Sequence, residues 1–238
     1  MKIGIASGGT LSAAFLTAFL ARETVDYWIA AEGGARLLLS CGIRPDLVVG
    51  DFDSVGDAFR EAIAEQGIRI LAFPSEKDET DTGLCMAEAV RLRPDEIVLL
   101  GGTGTRLDHT LGNIALLLRY AADPESAGIL IRLVDEHQTA FVLAADAGNG
   151  ERAAGAHGSL HFFNGGVRIR KEAYPDRYLS VLPLSDRAEG ICLAGVYYPL
   201  ADAHLALSDT VGISNRITAE EAVITVRKGT LLIILAKD

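Results

Sequence analysis

Three short stretches of this 238-residue chain gather side chains able to handle phosphate and a hard metal ion. In Pro45-Asp46-Leu47-Val48-Val49-Gly50-Asp51-Phe52-Asp53-Ser54 a short apolar run stops at a glycine, and two carboxylates follow with one residue between them. At the C-terminal end of a strand, Asp51 and Asp53 can point into one cleft. Mg2+ is usually held by one or two carboxylates with water and substrate phosphate. The same residues also read as an acidic turn in which Asp53-Ser54 caps the following helix.

A second cluster, Asp78-Glu79-Thr80-Asp81-Thr82, precedes a segment of helical apolar period. Thr80 or Asp81 can cap that helix, and one cap explains one acid. Asp78 is then either ordinary loop polarity or, with Asp81, part of a shell shared with Asp51 and Asp53. The third stretch is Gly101-Gly102-Thr103-Gly104-Thr105-Arg106-Leu107-Asp108-His109-Thr110-Leu111-Gly112-Asn113. Its glycines let backbone N–H groups face an anion, and the helix start that follows adds its positive end. The residue order is not that of a Walker loop. Arg106 is the natural phosphate partner, because its planar fork matches two oxygens. His109 and Asn113 are four apart and share a helix face, while Asp108 lies beside Gly112.

These stretches need strands to end just before them. Short β-rich runs at Lys2–Ala6, Tyr27–Ala31, Leu47–Val49, Arg69–Ala72, Glu96–Leu100 and Ile129–Val134 alternate with helical patterns near Ser12–Arg22, Asp57–Gln66, Thr82–Arg91 and Leu107–Tyr120. Such alternation predicts βαβ units and a largely parallel sheet covered on both faces. Ligands of open α/β sheets bind at the C-terminal ends of the strands, where Gly and Asp collect here. From Ala144 to Gly158 the composition turns to Ala and Gly with scattered charges, which predicts a linker or long hairpin. Beyond it, runs at Ser159–Phe163, Tyr178–Leu182, Ile191–Ala194, Ala222–Val226 and Leu231–Leu235 are separated by turn residues. The expectation is an α/β domain over 1–145 and an all-β sandwich or jelly roll over 146–238.

Composition narrows the function classes. No apolar run approaches the roughly 20 residues of a membrane span, and the start of the chain reads as a strand, so a cytoplasmic protein is expected. Cys41, Cys85 and Cys192 are far apart and form no Cys-x-x-Cys pair, which predicts thiols rather than a disulfide framework or zinc set. The net charge of −10 argues against nucleic acid as a partner, and the one dense basic run, Arg168, Arg170 and Lys171, reads as a charged strand edge. An acidic protein that binds polyphosphate must supply local cations. His137, His157, His161 and His204 have no ligand-like spacing.

The order and spacing of Ala31-Glu32-Gly33-Gly34-Ala35, Gly42-Ile43-Arg44-Pro45-Asp46, Gly50 through Ser54, Asp78 through Asp81 and Gly104 through Asn113 resemble the successive motifs of the thiamine pyrophosphokinase family. Gly195-Val196-Tyr197-Tyr198-Pro199-Leu200 and Gly212-Ile213-Ser214-Asn215 resemble its C-terminal signatures, so the likeness spans nearly the whole chain. The resemblance implies an N-terminal α/β domain, a C-terminal β-sandwich and a homodimer with active sites at the subunit interface. It implies Mg2+ on Asp51, Asp53 and Asp81 with Asp78 nearby, and ATP as co-substrate. Arg106, Asp108 and His109 would line the nucleotide and transfer site, with Glu32, Gly33, Gly34, Thr80, Gly102, Gly104 and Asn113 around it. Ser214, Asn215 and Tyr198 would hold thiamine.

Two departures stand out. The family usually has Asp-Gly-Gly where this chain has Glu32-Gly33-Gly34, which keeps the charge on an arm one methylene longer. Members commonly stack thiamine on an aromatic, often a late Trp, yet the only tryptophan here is Trp28, expected in the core. Tyr197, Tyr198 and Phe163 are the substitutes. With the Asp clusters and Arg106 converging on one sheet edge, the expected reaction is attack of thiamine's hydroxyl on the β-phosphorus of ATP with AMP leaving, and Asp108 or Asp81 accepts the proton. A pyrophosphokinase acting on a hydroxymethyl-pterin and a non-catalytic nucleotide or metal sensor are the competing readings.

Overall fold

In the computed structural model of the chain, residues 1–53, 56–74, 76, 78–145 and 159–238 are described. Ser54, His157 and most of the expected linker, residues 146–158, lie outside them. Two compact units emerge. The first comprises Met1–Leu116 and Ile129–Glu136, the second Leu117–Gly128 and His137–Asp238.

The first unit alternates strand and helix: β1 (Lys2–Ala6), α1 (Ala13–Leu20), β2 (Tyr27–Ala31), α2 (Glu32–Ser40), β3 (Leu47–Gly50), α3 (Asp57–Glu65), β4 (Arg69–Ala72), α4 (Asp81–Arg91), β5 (Glu96–Leu100), α5 (Leu107–Ala122, whose last turns belong to the second unit) and β6 (Leu130–Val134). The strands pair in parallel in the order β6-β5-β1-β2-β3-β4. The chain runs outward from β1 to β4, then returns to β5 on the other side of β1. The order therefore reverses between β1 and β5, and the crevice beyond their C-terminal ends is the expected binding place of a doubly wound sheet. Every residue of β1 and β5 is buried, as helices on both faces require, whereas β4 at the edge is exposed or half-buried. Gly4 leaves room for the Trp28 ring, which is buried as expected.

Helix α2 is not among the expected helices, and Gly33-Gly34 is an unfavourable helix start. The glycines serve packing. A Cβ on Gly34 would collide with the Ala6 carbonyl oxygen, so only glycine lets α2 lie this close to β1.

At the other end of the strands four charged groups are tied together inside the protein. Lys2 Nζ lies 2.7 Å from Glu23 Oε2 and 3.0 Å from Glu96 Oε2. Arg132 reaches Glu23 Oε2 at 2.6 Å through Nη2 and Glu96 Oε1 at 2.6 Å through Nε. Lys2, Glu96 and Arg132 are buried, and two cations balance two anions. Removing any one would leave a charge uncompensated in a poorly solvated place.

The second unit is antiparallel. Strands β7 (Gln138–Ala144), β10 (Tyr178–Pro183), β13 (Asn215–Arg216) and β15 (Thr230–Ala236) form a sheet in the order β13-β10-β15-β7. Strands β8 (Leu160–Phe163), β9 (Gly166–Arg170), β11 (Arg187–Ala194), β12 (Leu200–Ala206) and β14 (Glu221–Thr225) form another, β12-β11-β14-β9-β8. Phe141 of β7 meets Phe162 of β8 edge to face, with centroids 5.6 Å apart, so the sheets pack on one another as a sandwich.

Candidate active site

The site is a chain of contacts along one sheet edge. After β3 the backbone turns sharply. Phe52 adopts φ +63° and sinks its ring into the core, leaving Asp51 half-buried and Asp53 exposed on either side. A left-handed conformation costs a non-glycine residue on the order of 1–2 kcal/mol, so other contacts must hold it. Ring burial is one. A hydrogen bond of the Phe52 N–H to Glu32 Oε1 is another, and the Asp53 N–H donates to Asp51 Oδ1 at 3.1 Å. Phe73 N–H, just past β4, donates to the Gly50 carbonyl at 3.0 Å.

Glu32 opens α2, and its neighbour Gly33 lies against Gly8 in the loop after β1. Ser7, first in that loop, shares a 2.7 Å hydrogen bond with Thr82 in the first turn of α4, both buried. Thr80 caps α4 by accepting from Gly83 N–H at 3.1 Å, which leaves Asp81 as the first helical residue. The cap is thus Thr80. Asp78 is exposed and Asp81 half-buried. The loops after β1 and β5 then join: Gly9 N–H donates to Gly101 O at 2.9 Å and Thr10 N–H to Thr103 O at 2.7 Å.

The β5 loop is braced from two further sides. Thr103 Oγ1 donates to Asp135 Oδ2 at 2.7 Å, and Asp135 is a buried carboxylate just past β6. Asn113 Nδ2 donates to Gly102 O at 2.6 Å from a buried position in α5. Asn113 therefore shapes the loop from beneath, whereas His109 and Gly104 are exposed. Three helices, α2, α4 and α5, begin at this edge, each with an acid in its first turn: Glu32, Asp81 and Asp108. Helix starts favour such acids and equally favour phosphate.

Arg106 forks onto Asp108, with Nε 3.2 Å from Oδ1 and Nη2 2.5 Å from Oδ2. The Arg106 hydrogen bond holds the Asp108 carboxyl below the usual carboxylate range, and the same bond raises the guanidinium. Both side chains are about two-thirds exposed, at 69% and 65%. An ion pair so open to water is weak, so a phosphate arriving at Arg106 can replace Asp108 at little cost.

In the second unit Asn215 is buried and bonded to backbone through both its amide oxygen and its amide nitrogen. Its Nδ2 donates to Tyr198 O at 2.8 Å, and its Oδ1 accepts from Tyr198 N–H at 3.0 Å and Arg216 N–H at 2.8 Å. Asn215 thereby fixes the segment that presents Tyr197 and Tyr198, whose exposed rings meet edge to face with centroids 4.8 Å apart. Ser214 is exposed at φ +60°, its N–H bonded to Ser180 Oγ at 3.1 Å.

The sequence alone assigned no role to Ser7, Gly9, Thr82 or Asp135. The rule that found Asp51, that polar residues just past a strand matter, also finds Ser7 and Asp135.

Two family descriptions match the chain: thiamin pyrophosphokinase, catalytic domain, over residues 20–129, and thiamin pyrophosphokinase, vitamin B1 binding domain, over residues 166–231. The thiamine pyrophosphokinase of Bacillus subtilis (strain 168) is 30% identical over 223 residues, covering 94% of this chain and 92% of that protein. Among solved structures, the thiamine pyrophosphokinase from Bacillus subtilis aligns at TM-score 0.80 and 29% identity, covering 100% of both chains. The thiamin pyrophosphokinase from Geobacillus thermodenitrificans aligns at TM-score 0.78 and 29% identity, covering 100% of this chain and 98% of that one. With both halves matched in order and a relative aligned almost end to end, the chain belongs to the thiamine pyrophosphokinase family.

Proposed function

We propose that this protein transfers the pyrophosphoryl group of ATP to the hydroxyl of thiamine, giving thiamine diphosphate and AMP. The observation that carries the reading is the sheet edge where the β1 and β5 loops interlock, with Arg106 at the start of α5 and Asp51, Asp53 and Asp81 at neighbouring element ends. The hydroxyl oxygen bonds to the β-phosphorus. The bond from that phosphorus to the α–β bridging oxygen breaks, and this oxygen departs with AMP. Such transfers rest on positioning and on neutralising charge around the phosphates. Arg106 turns from Asp108 to phosphate and supplies one positive charge. Asp108 or Asp81 is the proposed acceptor of the hydroxyl proton.

Mg2+ is the proposed metal, held by Asp51 and Asp53 with Asp81. The donor set fits it: the atoms are hard carboxylate oxygens, half-buried or exposed, so that water and phosphate can complete the shell. Among the described residues no three His, Cys, Asp or Glu side chains stand together as a ready metal cage. When bound, Mg2+ neutralises phosphate charge. The first unit would form the ATP- and metal-binding part and the second, which takes residues 117–128 and β7 from the expected 1–145 part, the thiamine-binding and dimerising part, with Ser214, Asn215 and Tyr198 toward thiamine. A cytoplasmic homodimer with active sites at the subunit interface completes the proposal. It is supported by the large apolar side chains the second unit exposes between Tyr197 and Ile213 and by three cysteines outside any disulfide.

The test is to incubate the purified protein with MgATP and either thiamine or a hydroxymethyl-pterin, and to follow AMP and the matching diphosphate. AMP with thiamine diphosphate is expected, and Asp53→Asn should lower that rate at least 100-fold. Turnover of the pterin alone would change the acceptor, and no turnover with either would sink the enzymatic reading.

A further inference from the structure

We propose that Glu32 acts as a positioning residue for the Asp51–Asp53 carboxylate pair, by accepting the Phe52 amide, and not as a group that meets metal or nucleotide. This rests on the reading of Asp51 and Asp53 as the metal-holding pair.

Four observations carry it. The Glu32 side chain is buried, with 4% of its surface accessible, in contrast to half-buried Asp51 and exposed Asp53. Its Oε1 accepts the N–H of Phe52, the one residue between the two aspartates. Phe52 is also the residue in the left-handed conformation, at φ +63°, so the bond falls where the turn most needs support. Finally, the Glu32 arm lies directly over Gly50: a Cβ there would come within 2.5 Å of Glu32 Cγ. Gly50 thus clears the path by which a carboxylate on α2 reaches across to the β3 turn.

The Phe52 ring is locked in the core below and its amide is held by Glu32 above, so the peptide planes on both sides of Phe52 are set. Those planes carry Asp51 and Asp53. What the turn requires of Glu32 is an acceptor oxygen at the full reach of a three-carbon side-chain acid. Charge is secondary. A direct metal ligand would have the opposite requirement, because a carboxamide is a poor substitute for a carboxylate on Mg2+ while a shorter carboxylate can often still find the ion.

Glu32→Gln and Glu32→Asp therefore separate the two roles. Glutamine keeps the reach and loses the charge. Aspartate keeps the charge and falls short by up to about 1.5 Å, one carbon–carbon bond. Two readouts apply, neither of them turnover: amide hydrogen exchange at Phe52 by NMR, and Mn2+ affinity measured with a non-hydrolysable ATP analogue. The expected result is that Glu32→Gln retains Phe52 protection and binds Mn2+ within about threefold of the unmodified protein. Glu32→Asp loses the protection and binds Mn2+ at least tenfold more weakly. The reverse order, or equal Mn2+ affinity in all three proteins, would overturn the proposal. Should Glu32→Gln not fold, Gly50→Ala decides: its methyl displaces the arm and should reproduce the Glu32→Asp losses, and unaltered Phe52 protection would count against the role. Turnover with thiamine is scored separately. A protein that fails to make thiamine diphosphate yet shows these ranks would lose the proposed reaction and keep the positioning role.

Discussion

Arg106 and Asp108 illustrate how a single pair can be read from sequence as chemistry and still need coordinates to divide the roles. The type of Arg106 announced a phosphate partner, and Asp108 stood as one of two candidate bases. What the spacing left open was that the two grip each other, with the guanidinium forked onto the carboxylate. Asp108 is thereby held below the usual carboxylate range by the Arg106 hydrogen bond. Two expectations follow at this scale. Arg106→Lys keeps a charge but loses the planar fork, so kcat/KM for ATP should fall by roughly 100-fold while the melting temperature barely moves, since the pair is exposed. Asp108→Asn separates the two candidate bases: kcat should fall by roughly 100-fold or more if Asp108 takes the hydroxyl proton, and by about tenfold at most if Asp81 does.

At the scale of elements, the parallel half was legible because βαβ alternation and buried apolar strands leave a plain pattern, and the ends of those strands pointed to Asp51, Asp53 and the Gly101–Gly104 loop. Two kinds of feature were hidden. Helix α2 begins Glu32-Gly33-Gly34, and glycines chosen for close approach to β1 look the same in sequence as glycines chosen for a turn. Strand β12, Leu-Ala-Asp-Ala-His-Leu-Ala, buries only Leu205 fully and leaves the rest half-buried or exposed, so it carries no clean alternation. Contacts between distant loops are hidden in principle, since nothing local in Gly9 reports that Gly101 and Thr103 lie across from it. That contact makes a paired prediction possible. A Cβ on Gly9 would strike the carbonyl oxygens of Gly101 and Thr103, backbone that cannot swing aside, whereas a Cβ on Gly8 meets nothing within 4 Å. Gly9→Ala should cost about 1–3 kcal/mol, lower the melting temperature by roughly 3–10 °C and raise KM for ATP. Gly8→Ala should leave the melting temperature within about 1 °C. If the two variants melt alike, the interlocked loops are not what shapes this edge.

For the whole molecule, the pH dependence of stability draws on both the net charge and the buried Lys2–Glu23–Glu96–Arg132 group. With a net charge of −10 at pH 7 and an isoelectric point near 5.0, general self-repulsion falls as the pH drops from 7 to 5, which favours the folded state. The buried group acts in the opposite direction at lower pH. Burial by itself would push the Glu23 carboxyl up, but the Arg132 guanidinium and the Lys2 ammonium outweigh it and hold Glu23 below the usual glutamate range. A depressed folded pKa stabilises the protein fully above the unfolded value, about 4.3. That contribution is lost as the pH falls through the lower, folded value. The melting temperature should therefore hold level or rise slightly from pH 7 to about 5 and fall steeply below about 4.3. Glu23→Gln should cost about 3–5 kcal/mol at pH 7, or roughly 6–20 °C for a chain of this size, and should flatten the acid limb. Salt distinguishes the two sources, because exposed charges are screened over about 10 Å at 0.1 M while a buried pair is screened far less. Raising the salt should soften whatever repulsion the acid-charged surface adds and leave the difference between the unmodified protein and Glu23→Gln in place. If instead that difference vanishes in salt, or Glu23→Gln melts with an equally steep acid limb, the steep loss belongs to the surface and the buried group plays no part in it.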